Sequence, residues 1–250
     1  MFRKYKKIIV TVLFVLGSVA SYAFRLDNIV FNERMDGDNG GYRESYLVNE
    51  GLNKVRYKIS VLPSEKRDGS KYVEVFPKVI TVDPQSVGTV KIYAKAPGNI
   101  EKGEYNFKLQ FKPVAIPVVA EKKDGKLSGN SNMAISPVIE MKGYVGEVDF
   151  SKVIRFEDIK VGKNPKGKGI TVSGKLSNDS FAGIEFGAEA YGSNEFFFGS
   201  AYVDDLGANI QNKSITLLFK NIKKPGELKK IVFYRTPSNN RKVVKEIQIK

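Results

Sequence analysis

The chain predicts an all-β protein of two immunoglobulin-like β-sandwich domains, on three observations. Short runs of Val, Ile, Tyr and Phe alternate with polar residues at period two. Clusters of Gly, Asn, Asp and Pro separate these runs, and after residue 23 no segment sustains a helical period over about 12 residues. The alternation is clearest where Tyr57, Ile59 and Val61 interleave with Lys58 and Ser60, and where Tyr105, Phe107, Leu109 and Phe111 interleave with Asn106, Lys108, Gln110 and Lys112. One apolar face per strand marks half-buried antiparallel strands, and β-branched and aromatic side chains suit a pleated surface.

In order along the first half, strands are expected at 29–31, 44–48, 55–62, 72–76, 79–82, 89–94 and 104–111. The second half repeats the habit at 154–161, 170–176, 184–191, 196–203, 214–219, 230–235 and 243–249. Turn signals punctuate it: Asn164-Pro165-Lys166-Gly167, Ser177-Asn178-Asp179, Gly192-Ser193-Asn194 and Pro237-Ser238-Asn239-Asn240. About seven short strands in about 100 residues is the count of an immunoglobulin-like sandwich. The expected division is a first sandwich at 24–149 and a second at 150–250.

Residues 1–23 read as a leader rather than as part of the fold. Arg3, Lys4, Lys6 and Lys7 precede an apolar run from Ile8 to about Ala20, and Ser21 and Ala23 supply small residues for cleavage. A spanning helix needs about 20 apolar residues, more than this run offers. Export to a periplasm is the expectation, with no stable membrane insertion after cleavage.

Composition narrows the chemistry. The 250 residues contain no Cys, no His and no Trp. A thiolate nucleophile, an imidazole base and a Cys/His zinc site are therefore excluded, and neither an enzyme nor a cofactor or metal site is expected. Without disulfides, an exported fold of this size relies on its hydrophobic core. The formal net charge of +14 is unevenly spread. Residues 24–150 carry 19 cations and 17 anions, whereas 151–250 carry 18 and 10. In an exported protein this surplus points to solubility, or to acidic partner surfaces and anionic lipid, rather than to nucleic acid.

One segment departs from the sandwich rhythm. After Phe111 the chain passes Pro113 and Pro117 and enters a polar, Gly-rich run at 121–132 of loop character. Beyond it, Met133, Ile135, Pro137, Ile139 and Met141 share one parity, and Lys142 lies on the other. Pro137 cannot donate to a sheet ladder, which places the strand at an edge. The apolar row has two readings: it faces the sandwich core, or it is available for β-augmentation of a partner. An exposed row of this kind also invites a homodimer in the unliganded chain.

The order of these features resembles the periplasmic pilus (fimbrial) chaperones, the PapD-like family. The resemblance runs through Asn28-Ile29-Val30-Phe31, then Ser45-Tyr46-Leu47-Val48-Asn49, then Arg56-Tyr57-Lys58-Ile59-Ser60-Val61. It continues with Val75-Phe76-Pro77-Lys78-Val79-Ile80-Thr81-Val82-Asp83-Pro84, the Val90-Lys91-Ile92 and Gly103-Glu104-Tyr105 strands, and Met141-Lys142-Gly143-Tyr144 after the long loop. The family implies donor-strand complementation of pilin-like subunits, delivered to an outer-membrane usher. It implies a donated row of Met133, Ile135, Pro137 and Ile139, extending to Met141, each inserted Met or Ile burying surface that stabilises by about 1.5–3 kcal/mol. It also implies that Lys142 binds a subunit's terminal carboxylate in a cleft between the domains. The family's second carboxylate-binding cation is a first-strand Arg, and the matching position here is Asn28, flanked by Arg25 and Arg34. The alternative reading is an exported structural or adhesive surface module on the same sandwiches.

Other motifs yield less. Asp36-Gly37-Asp38-Asn39-Gly40 lacks the remaining ligands of a calcium loop. The Lys/Gly-rich 163–169 run lacks a phosphate-loop signature. Asp204-Asp205 and Glu157-Asp158 are adjacent pairs whose members point to opposite strand faces. Phe196-Phe197-Phe198 reads as a core strand with one ring at the surface.

Overall fold

The protein is described by a computed structural model covering residues 24–116, 136–237 and 240–249. The expected leader at 1–23, the polar run at 121–132, and Met133 and Ile135 lie outside the described residues. Both halves are β-sandwiches, as the alternation predicts.

The first sandwich contains β1 (Arg25–Asp27), β2 (Gly41–Asn49), β3 (Val55–Pro63), β4 (Val73–Phe76), β5 (Val79–Val82), β6 (Ser86–Ala94), β7 (Gly103–Pro113) and β8 (Val138–Val145). One sheet runs β1-β2-β6-β4 and the facing sheet β5-β3-β7-β8. A single helical turn, α1 (Phe150–Val153), leads into the second sandwich, and Asp149 caps it by accepting from the Ser151 amide. Then follow β9 (Ile154–Lys163), β10 (Ile170–Asn178), β11 (Ile184–Tyr191), β12 (Phe197–Leu206), β13 (Ile210–Phe219), β14 (Lys230–Arg235) and β15 (Lys242–Gln248). These form the sheets β13-β10-β9 and β12-β11-β14-β15.

Each sandwich has its own core. Phe31, Ile59, Ile92, Phe107, Leu109 and Phe111 fill the first, with the Phe31 and Phe107 rings edge-on at 5.5 Å. Ile170, Leu176, Ile184, Phe186, Ile231 and Phe233 fill the second. The cores meet where Tyr144, at the end of β8, packs edge-on against Phe150 of α1 at 5.9 Å.

The same corner is built in both sandwiches by a buried asparagine at the end of the second strand. Asn49 accepts from the Gly51 amide and donates to the Asn53 carbonyl. Asn178 accepts from the Ser180 amide and donates to the Ala182 carbonyl, the same offsets of two and four residues. Each amide also reaches across its sandwich, Asn49 to the carbonyls of Val82 and Asp83 and Asn178 to that of Gly207. Buried backbone carbonyls that would lack partners are thereby satisfied.

Two expectations are corrected. The first strand lies at 25–27 rather than 29–31, because Asn28 takes a left-handed conformation (φ 55°) and turns the chain out of the sheet. Ile29 to Asn32 cross to the opposite sheet, so the burial of Phe31 reflects a core plug and not a strand rung. The Phe196–Phe198 run exposes two rings rather than one: Phe196 is 63% and Phe197 53% exposed. Phe197 stands on the outer face opposite Tyr191, and Phe196 precedes the first rung of β12.

Beyond Asn32 the crossing segment pairs with the end of β8. The Met35 amide donates to the Tyr144 carbonyl at 2.8 Å, and the Tyr144 amide to the Glu33 carbonyl at 3.0 Å. This short pairing beside β8 is parallel. Gly143 permits it, since a Cβ there would lie 2.7 Å from Met35 Sδ and 3.1 Å from the Glu33 carbonyl.

Candidate functional site

The strand β8 is the edge of its sheet, paired with β7 in antiparallel register: Val138 opposite Gln110, Ile139 opposite Leu109, Met141 opposite Phe107. Because Tyr144 turns its amide and carbonyl toward Glu33 and Met35, the even-numbered residues of β8 direct theirs away from β7. The crossing segment thus covers the C-terminal end of this edge. Among the described residues, no strand covers it from Val138 to Met141.

The residues predicted to form the donated row occupy different environments. Met141 is 2% exposed and packs within the first core, so it anchors β8 to its own sandwich. Ile139 is partly buried against the same core. Pro137 lies just before the strand, its carbonyl accepting from the Phe111 amide, and Val138 on the other parity is 48% exposed. The row thus enters the core at its Met141 end and leaves it toward Pro137.

Lys142 has the opposite parity to Met141 and reaches the junction of the two sandwiches. Its Nζ lies 3.2 Å from Asp205 Oδ2, on β12 of the second sandwich, and 3.7 Å from Glu104 Oε2 on β7. Asp205 also accepts from Asn32 Nδ2 at 2.9 Å, and Glu104 accepts from the Gly183 amide at 3.2 Å.

Sequence pattern singles out Lys142 but not the charges around it. Arg43, on β2, is 7% exposed and bonds Glu185 of β11 and the Thr236 carbonyl (3.2 Å), with Glu33 3.7 Å away. Its Nε is buried without a hydrogen-bond partner among the described residues. Burial pushes the Glu185 carboxyl above the usual carboxylate range, against the pull of Arg43 and with added repulsion from Asp205. Arg235, at the end of β14, donates to the Tyr144 hydroxyl at 3.3 Å and lies 4.6 Å over the Phe150 ring. It forms no ion pair among the described residues. A narrow crevice between the sandwiches is lined by Asn32, Glu33, Arg43, Glu185, Arg235 and Thr236. Period-two patterning identifies Arg43 as a polar residue on a strand but cannot identify its hydrogen-bond partners Glu185 and Thr236, which lie 142 and 193 residues away.

The positions flanking the expected first-strand cation lie elsewhere. Asn28 donates to the Glu44 carbonyl, Arg25 pairs with Asp27 and Glu50, and Arg34 pairs with Asp36 at 2.9 Å. The cations at the junction come from β2, β8 and β14.

Solved structures similar to the chain include several chaperones. The E. coli chaperone DraB is similar over 91% of this chain and 95% of its own, at 10% identity and a TM-score of 0.41. A Salmonella enterica complex of the SafA pilin with the SafB chaperone matches over 92% and 98%, at 9% identity and a TM-score of 0.38. The chaperone CupB2 of Pseudomonas aeruginosa matches over 89% and 97%, at 12% identity and a TM-score of 0.35. No family model and no curated protein sequence matches the chain.

Proposed function

We propose that the protein is an exported, periplasmic chaperone that holds surface-fibre subunits by donor-strand complementation, without enzymatic chemistry. The observation that carries this reading is that one strand, β8, combines an edge at Val138–Met141 that no strand covers among the described residues with Lys142 at the sandwich junction. A subunit missing a strand would pair its backbone with that edge, while the row leading from Ile139 through Pro137 toward Ile135 and Met133 fills its exposed groove. The subunit's terminal carboxylate would exchange with Asp205 on Lys142, a charge-assisted contact that fixes register. Arg235 is the second cation of this anchor: it contacts Tyr144, which shares the parity of Lys142, and has no carboxylate of its own among the described residues. Met141 is left to hold the strand in place.

The test is to recover the tagged protein from the periplasm of its own host and weigh what co-elutes by intact mass spectrometry. A one-to-one complex with a small β-rich subunit, lost in Lys142→Ala and weakened in Arg235→Ala although circular dichroism shows both variants folded, is the expected result. A bare monomer or homodimer, with the protein abundant at the cell surface, would overturn the reading in favour of an adhesive module.

A further inference from the structure

The β11–β12 hairpin ends in two exposed aromatic rings that neither core uses. Phe196 (63% exposed) lies 5.1 Å from the Phe198 ring, on the side that continues the inner face of the sheet. Phe197 (53% exposed) lies 5.6 Å from Tyr191 on the outer face. Rings therefore project on both sides of a narrow hairpin. A flat protein partner would cover one side, whereas a medium that surrounds the tip satisfies both.

The neighbouring turn supplies charge of one sign. Residues 220–230, Lys-Asn-Ile-Lys-Lys-Pro-Gly-Glu-Leu-Lys-Lys, hold five lysines and one glutamate. Asn221 Nδ2 donates to the Phe198 carbonyl at 3.0 Å and the Lys229 amide to the Tyr191 carbonyl at 2.8 Å, so the turn lies along the hairpin. Lys230 pairs with Glu195, and Glu227 Oε2 is taken up by the Lys223 amide. Lys220, Lys223, Lys224 and Lys229 are exposed and form no ion pair among the described residues.

We infer that this hairpin tip and its lysine turn form a docking surface for anionic lipid, the Phe196 and Phe197 rings entering the headgroup–acyl boundary and the four lysines meeting the headgroup charges. Apolar rings flanked by cations supply the two terms on which peripheral binding to such a surface depends, buried apolar area and attraction to headgroup charge. The site lies in the second sandwich, away from β8, so it would hold the protein at a membrane while leaving the strand edge free.

The chain contains no Trp, so a single Phe196→Trp or Phe197→Trp substitution gives a clean fluorescence reporter. The processed protein, recovered from the periplasm, would be mixed with vesicles of phosphatidylglycerol and phosphatidylethanolamine, and separately with phosphatidylcholine vesicles. Both reporters should shift to the blue and be quenched by brominated acyl chains on the anionic vesicles only. Co-sedimentation of the otherwise native protein should fall by on the order of tenfold in Phe196→Ser/Phe197→Ser, and by a similar factor in Lys220→Gln/Lys223→Gln/Lys224→Gln. Circular-dichroism melts identify any variant that fails to fold, and the tryptophan reporters remain informative in that case. Equal binding to phosphatidylcholine, binding that survives the loss of both rings, or adsorption without quenching of either reporter would each overturn the inference.

Discussion

Glu185 and Asp205 face each other in register across β11 and β12, two like charges on adjacent strands of one sheet. Such a pair is unfavourable by itself. Cations from the other sandwich offset it, Arg43 at Glu185 and Lys142 at Asp205. The second sandwich thus presents a pair of acids and the first a pair of bases, and the junction is an electrostatic clasp as well as a packing contact.

One consequence concerns binding. Substituting Asp205→Asn removes the nearest internal competitor for the Lys142 ammonium. A peptide ending in a free carboxylate and carrying alternating apolar residues should then bind more tightly, by about 1 kcal/mol or roughly fivefold. Isothermal titration checks this, and an amidated peptide should show no gain. Equal gains for both peptides would count against Lys142 as the carboxylate anchor.

A second concerns stability. Arg43 is nearly inaccessible and sits between two carboxylates, so Arg43→Ala leaves Glu33 and Glu185 without its charge. The expected cost is about 3–5 kcal/mol, read as a lower urea midpoint. Arg43→Ala/Glu185→Gln should recover part of that loss.

The repeated corner gives a paired prediction. Asn49→Ala and Asn178→Ala each strand several backbone groups that the amide now satisfies. Each should cost about 2–4 kcal/mol. Proteolysis should open the first sandwich in one variant and the second in the other, since the corners lie in separate cores.

Asp36 supplies a pH dependence. Burial works to raise its carboxyl, but the hydrogen bonds from Arg34 and the Gly146 amide outweigh it and hold it below the ordinary value. A depressed native pKa means that the stabilisation is present above the unfolded value near 3.8 and is lost as pH falls through the native value. Asp36→Asn should therefore lower the melting temperature at pH 6, by roughly 1–2 kcal/mol of stability. The difference from the native protein should shrink steadily as both are titrated into strong acid.

The fold class and most strands are legible in the sequence for a physical reason. A half-buried strand writes its own period, and Tyr57-Lys58-Ile59-Ser60-Val61 or Tyr105 to Phe111 could belong to little else. The first strand is misplaced by such a reading because Phe31 is buried without being a rung, and burial is all that a hydrophobic pattern records. Lys142 is legible through its parity and through the resemblance. Arg43, Glu185, Asp205 and Arg235 are not, since their meaning comes from pairing across long stretches of chain. Phe196 and Phe197 mislead in the opposite direction: apolar residues at a strand end read as core until the geometry carries them past it.

The pairing of Glu33 and Met35 with Tyr144 gives the β8 edge a closed end. A strand added from Val138 onward meets a stop at that point, because the crossing segment already occupies the next hydrogen-bonding position. The edge therefore behaves like a slot open at one side only, and its depth acts as a gauge: an incoming segment can be pushed in as far as Tyr144 and no further. Register would be set mechanically before any side chain is read, and Gly143→Ala, by forcing Met35 off the strand, would remove the stop.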